Sequence, residues 1–224
     1  MDKKQSNEQS SFIEEDANQK HMIARINAVA IKAAFPYIAQ DDVRYYLCGI
    51  NIRPLEDGAV MICATDGHRF FVMRDPSGYA EKEIIVSVTK DAIKHAESGV
   101  TFDVMSNGDV SWNGKVGEPI FIQPGNSLIE GTFPRIESVV NPIGYQEGIS
   151  GSVNMSYLIE ATKLKFGSKS PAIRFFTKDA DSPLLFTVSD VGEIEVLGGI
   201  MKRRDAEWLP NWLPKAGEFE LAAS

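Results

Sequence analysis

The sequence predicts an α+β fold in which one short helix and a set of antiparallel strands recur as a unit along the chain. Three observations carry this. Segment 22–37 spaces Ile23, Ile26, Ala30 and Ala33 at helical intervals, and strand-like runs rich in β-branched and aromatic residues follow it. A strand that ends in a capping residue and opens a short helix occurs at 83–99 and again at 149–167. In that recurrence Val88-Thr89 corresponds to Val153-Asn154, Ile93 to Leu158, and Ala96 to Ala161. Turn signals then separate the apolar runs at 56–58 (EDG), 107–109 (NGD) and 114–117 (GKVG).

Taken in order, residues 1–20 form a polar leader, expected to be mobile, without the apolar core of a signal peptide. Segment 22–37 reads as a helix ended by Pro36, with Arg25 and Lys32 seven apart on a second face. VRYYLCGINIR (43–53) reads as a strand, and AVMICAT and RFFVMR as two more on either side of the turn Thr65-Asp66-Gly67-His68. The second unit enters a helix capped by Thr89 and stopped by Gly99, carrying Lys90 and Lys94 on one face. Strands VTFDVMS, VSWNG and EPIFIQPG follow. TFPRIESVVNP (132–142) reads as an extended connector punctuated by Pro134 and Pro142. The third unit adds the strands AIRFFTK, PLLFTVSD and EIEVLGGIMKRR. The tail, 205–224, places Pro210 and Pro214 among tryptophans and is expected to dock or dangle rather than extend a sheet.

Composition narrows the function. With 23 Lys and Arg against 31 Asp and Glu, the formal charge of −8 disfavours a protein that grips nucleic acid by overall positive charge. It leaves room for a local basic patch. No apolar run is long enough to span a bilayer, and a cytoplasmic location is inferred. Cys48 and Cys63 read as packed thiols of a reducing compartment. The three histidines and two cysteines show no metal-ligand spacing, and no cofactor is expected.

CATDGHRFFV (63–72) is the segment richest in chemistry. Asp66 and His68 suggest a general acid–base pair, and with it a hydrolase, but no Ser or Cys nucleophile motif stands near them. One His and one Asp do not fill a metal's coordination shell. A bland alternative is a self-satisfied turn in which Asp66 bonds the turn amides and Gly67 supplies a positive φ. WNGKVGEP (112–119) lacks the glycine spacing and Lys-Ser/Thr ending of a phosphate loop and reads as a hairpin turn.

DVRYYLCGINI followed by ATDGHRFFV resembles the middle domain of the bacterial DNA polymerase III β subunit, the sliding clamp. EIIVSVTKDAIKHA, GTFPRIESVVNP, SVNMSYLIEATK and PLLFTVSD…GIMKRR are similar to that family's later segments, so the likeness runs from about 22 to 204. It implies DNA-clamp repeats: a middle-type domain of two units at 21–142 and a partial C-terminal-type domain of one unit at 143–204. No counterpart of the family's first domain is matched. The family's closing Met-Pro-Met-Arg stands here as Ile200-Met201-Lys202-Arg203. A small clamp of phage or mobile-element type is the expected source. The family's ring uses about twelve such units, so three per chain implies about four chains, with a half-domain left to find a partner.

The resemblance implies a non-enzymatic DNA sliding clamp that encircles duplex DNA as a homo-oligomer. Its partners would be the DNA backbone, a DNA polymerase, other clamp-binding proteins and a clamp loader. A peptide groove would use Thr65, Gly67, His68, Arg69 and Phe70 as one wall, Val140 and Pro142 as floor, and Met201 as the far wall. Phe70 stands where the family often carries a smaller apolar residue. Arg25, Lys32, Arg44, Lys90, Lys94, Lys163 and Lys165 would face DNA, with Tyr45 and Tyr46 as added contacts. The alternative is a clamp-like interaction protein that forms no ring and modulates a host clamp or polymerase.

Overall fold

A computed structural model describes residues 20–139, 144–148, 151–164, 172–189 and 195–203. The expected leader and tail lie outside these residues, apart from Lys20. The first unit runs β1 (Met22–Asn27), α1 (Ala28–Ala34), β2 (Ile50–Pro54), β3 (Val60–Thr65), β4 (Arg69–Asp75) and β5 (Tyr79–Ala80). The second runs β6 (Ile84–Val86), α2 (Lys90–Ile93), β7 (Thr101–Met105), β8 (Val110–Asn113) and β9 (Pro119–Gln123). After the connector come β10 (Gln146–Glu147), β11 (Ser152–Val153), α3 (Met155–Thr162), β12 (Ile173–Thr177), β13 (Leu184–Val188), β14 (Glu195–Ile200) and β15 (Lys202–Arg203).

Each helix begins the same way. A side-chain oxygen of the preceding residue accepts an amide of the first turn: Asn27 from Val29 (3.0 Å), Thr89 from Ala92 (3.2 Å) and Asn154 from Ser156 (3.0 Å). The expected helix over 22–37 is therefore corrected. Its first six residues are β1, and only Ala28–Ala34 are α-helical. The helical spacing of Ile23 and Ile26 is accidental, because β1 carries a register shift between Met22 and Ala24 that alters strict alternation. The strand expected at 43–53 likewise starts as a 3-10 turn at Tyr45–Cys48, and only Ile50–Pro54 is extended. The connector is pinned rather than extended throughout. A 3-10 turn at Ile136–Ser138 buries Ile136 beside Phe133, and Glu137 and Arg135 pair with Arg53 and Glu83.

Among the described residues all strand pairs are antiparallel. The first two units exchange their leading strands, since β1 joins β7 and β6 joins β2. One sheet has the order β5-β1-β7-β8-β9; the larger runs β10-β12-β13-β14-β4-β3-β2-β6, and β11 pairs with β15. The larger sheet joins the two expected domains through β14 and β4, in register from Glu195↔Arg74 to Ile200↔Arg69. Its order is a palindrome of rank about that seam: the third strand after α3 meets the third after α1.

Side chains alternate across β4. Phe71 and Met73 enter a core that also holds Ile31 of α1, Ala92 of α2 and Ala161 of α3. Within this core α1 packs on β3 and β4, α3 on β14, and α2 on β9 of the smaller sheet. Phe70 and Val72 enter a second cluster on the opposite face with Leu47, Cys63, Phe133, Ile136 and Leu185. Gly198 and Gly199 make the seam close-packed. A Cβ at Gly198 would overlap the Phe186 ring, and one at Gly199 the Phe70 ring.

Gly199→Ala is expected to cost about 1–3 kcal/mol of stability, the usual range for overpacking, read as a lowered denaturation midpoint. Burial raises the Cys63 thiol to about 12. Cys63 should therefore resist alkylation at pH 8 in the folded chain and react on unfolding; equal rates in both states would contradict this packing.

Candidate partner groove and helix face

The 65–69 turn closes on itself. Thr65 Oγ1 donates to Arg69 O (2.7 Å) and accepts the Gly67 amide (3.0 Å). Asp66 Oδ1 accepts the amides of His68 and Arg69 (2.9 and 3.0 Å), and its Oδ2 accepts Arg69 Nε (3.0 Å). Gly67 sits at φ +86°, the conformation a residue without Cβ allows. The carboxylate is thus used as a turn brace, and Asp66 and His68 are not assembled as a hydrogen-bonded dyad. Among the described residues no group of three or more His, Cys, Asp or Glu could hold a metal.

Beside this turn the seam brings in the far wall. Met201 N donates to His68 O (2.8 Å), so His68 and Met201 stand side by side, both exposed. Phe70 lies buried next to Leu47 and Leu185, with Val72 and Leu197 partly buried beside them. Arg44 lies over Gly67 and is fixed by Asp42, whose carboxyl the Arg44 hydrogen bonds hold down to about 2. The structure brings Thr65, Gly67, His68, Phe70 and Met201 to one corner of the seam. Val140 and Pro142 lie outside the described residues. Leu47, buried in the same cluster as Phe70, is a neighbour that the sequence did not single out. Leu47 was read as part of a strand, and the 3-10 turn that directs it inward has no plain sequence signal.

Arg69 is placed differently from expectation. Its guanidinium points to the helix side of the sheet, where Nη2 donates to Pro36 O (2.6 Å). It lies over the rings of Tyr37 (5.1 Å) and Tyr157 (4.5 Å). Nη1 is buried without a hydrogen-bond partner, so ring faces rather than oxygen atoms surround that edge. Arg69 ties β4 to α3 and to the 3-10 turn Phe35–Tyr37 that follows α1, so its side chain lies on the side of the sheet opposite Phe70. Burial also raises the Tyr37 hydroxyl above its ordinary value.

The candidate DNA-facing cations divide. Arg25 is on β1, where it pairs with Asp103 (2.6 Å) rather than lying on a helix. Lys94 pairs with Asp91 and Lys163 with Glu160. Lys32 donates to Ala96 O (3.2 Å), and Lys90 is exposed at the start of α2. Lys32 and Lys163 line one cleft of about 400 Å³ between α1, the end of α2 and α3. Tyr45 is exposed and meets Tyr46 edge to face. Lys165 lies outside the described residues.

No family model and no curated sequence matches the chain. Solved structures do. The DNA polymerase sliding clamp of Pseudomonas aeruginosa is 18% identical with a TM-score of 0.58, covering 84% of this chain and 67% of that one. The sliding clamp of Bacillus subtilis is 12% identical with a TM-score of 0.56, over 84% and 66%. The polymerase III β subunit of Borrelia burgdorferi, solved with a natural product, gives 14% and 0.56 over 84% and 65%. The fold is that of a sliding clamp. At these identities the likeness establishes the fold, and the chain spans about two thirds of each neighbour. Among the described residues no helix of this clamp fold is long and apolar enough to cross a membrane.

Arg69→Lys keeps the charge but loses the planar stack and the paired bonds. It is expected to lower unfolding free energy by about 1–3 kcal/mol in urea titrations, with Tyr157→Leu costing about 1 kcal/mol or less. A neutral Arg69→Lys would contradict the tie.

Proposed function

We propose that this chain is a DNA sliding clamp, a non-enzymatic, cytoplasmic processivity factor. An oligomer of it surrounds duplex DNA and holds partner proteins at the seam between the two clamp-type regions. The observation that carries the reading is the eight-stranded sheet, continuous across β14 and β4, with α1 and α3 packed against it on either side of that seam. In a ring, such a wall would turn its helices inward and its sheet outward. Retention is topological, so a formal charge of −8 is no obstacle. Lys32, Lys90 and Lys94 would meet phosphates without reading bases. An extended peptide from a polymerase would lie on the outside, along His68 and Met201, with Phe70 beneath it.

A second reading has its own support. Arg25, Arg44, Lys94 and Lys163 spend their charge on acids of the same chain. A clamp-like interaction protein that modulates a host clamp, without a ring of its own, needs no free cations.

The two readings separate on circular DNA. The chain, mixed with nicked plasmid and a clamp loader, should stay bound through gel filtration in high salt and dissociate when the plasmid is linearised. Equal retention on linear DNA, or none on either, contradicts the ring. For the groove, Met201→Ala and His68→Ala together should weaken a polymerase tail peptide by about tenfold, the range for interface anchors. Unchanged affinity contradicts the groove.

A further inference from the structure

We propose that β9 is a self-pairing edge, which joins two copies of this chain across a two-fold axis into one continuous antiparallel sheet. The pairing stands on the strand ranks below; its use in a ring rests on the clamp reading above.

The first ground is rank. The order β5-β1-β7-β8-β9 matches β10-β12-β13-β14 and β6-β2-β3-β4, position by position, with β5 added at the far edge. β9, β4 and β14 are all the third strand after their helix. The structure shows how such a strand is satisfied: β4 pairs antiparallel with β14, its own counterpart from another unit. Those two occupy each other. Among the described residues β9 has β8 on one side and no strand on the other. The counterpart that remains for it is a second β9.

The second ground is the edge itself. Ile120 and Ile122 are 47% and 53% exposed on the sheet's outer face, while Phe121 turns inward to stack on His95. Between Pro119 and Pro124 the strand reads Ile-Phe-Ile-Gln, with no charge. Two copies related by a two-fold therefore meet without like-charge repulsion. Edges that are kept single usually carry lysine or an inward charge, and this one does not. The prolines cannot donate to a ladder, so they confine pairing to Ile120–Gln123. A register centred on Phe121 sets each Ile120 opposite the other copy's Ile122, an apolar strip of four isoleucines. By contrast the β6 edge is covered within the chain, by the Val86↔Leu128 bridge and the bond from Ile129 N to Ile85 O.

The test uses the full chain in sedimentation velocity. The wild type should show species at twice the 24.7 kDa chain mass or at even multiples of it. Ile120→Lys/Ile122→Lys should halve the assembly mass and leave the far-ultraviolet spectrum and thermal midpoint unchanged, because both side chains are exposed. Register is read by cysteine pairing in a Cys48→Ser/Cys63→Ala background. Ile120→Cys mixed with Ile122→Cys should form a disulfide-linked dimer under mild oxidation, several-fold faster than either alone. A wild type that is monomeric at micromolar concentration overturns the proposal. So do lysine variants that keep the wild-type mass, or a β9 edge protected by residues 1–19 or 204–224 of the same copy. If the pair forms through β9 yet is not retained on circular DNA, the pairing stands and the ring falls.

Discussion

The antiparallel pairing of β14 with β4 is the constraint on which the rest depends. It holds together segments more than a hundred residues apart, and both sides of the sheet are built to fit it. On the helix side Arg69 reaches from β4 to Pro36 and lies between Tyr37 and Tyr157. On the outer side Gly199 clears the space that Phe70 fills. Remove the pairing, and the corner where His68 meets Met201 no longer exists.

The same pairing explains why the two faces can serve different ends. Helices on one side present short polar faces around Lys32, Lys90 and Lys163. The opposite side offers an apolar cluster roofed in part by the connector at Phe133 and Ile136. On the proposed clamp reading, the helix-bearing side would pass DNA and the sheet side would carry partner proteins.

Much of this was legible in the residues. Thr89 and Asn154 announced their helices because an N-cap is local chemistry. The TDGH turn was legible for the same reason, since Asp66 and Gly67 satisfy it from within. The first unit was misread because apolar residues at 23, 26, 30 and 33 fit a helix as well as they fit a strand followed by one. Only pairing with β7 decides between them, and that pairing is not local. Arg69 was assigned to the groove by its position in a motif, yet strand alternation turns it inward, away from Phe70. Arg25 was assigned to a helix face for want of its partner Asp103, which lies 78 residues away. The exposed isoleucines of β9 gave no signal in sequence, because an apolar strand reads alike whether covered or open.

Amide hydrogen exchange across the seam tests the central claim most directly. The account predicts that amides of β4 and β14 from Phe70 to Met73 and Val196 to Gly199 exchange as slowly as those of β3, through the same global opening. Exchange of β14 at the rate of an unpaired edge, with β3 still protected, would contradict it, since the two clamp-type regions would then be separate bodies.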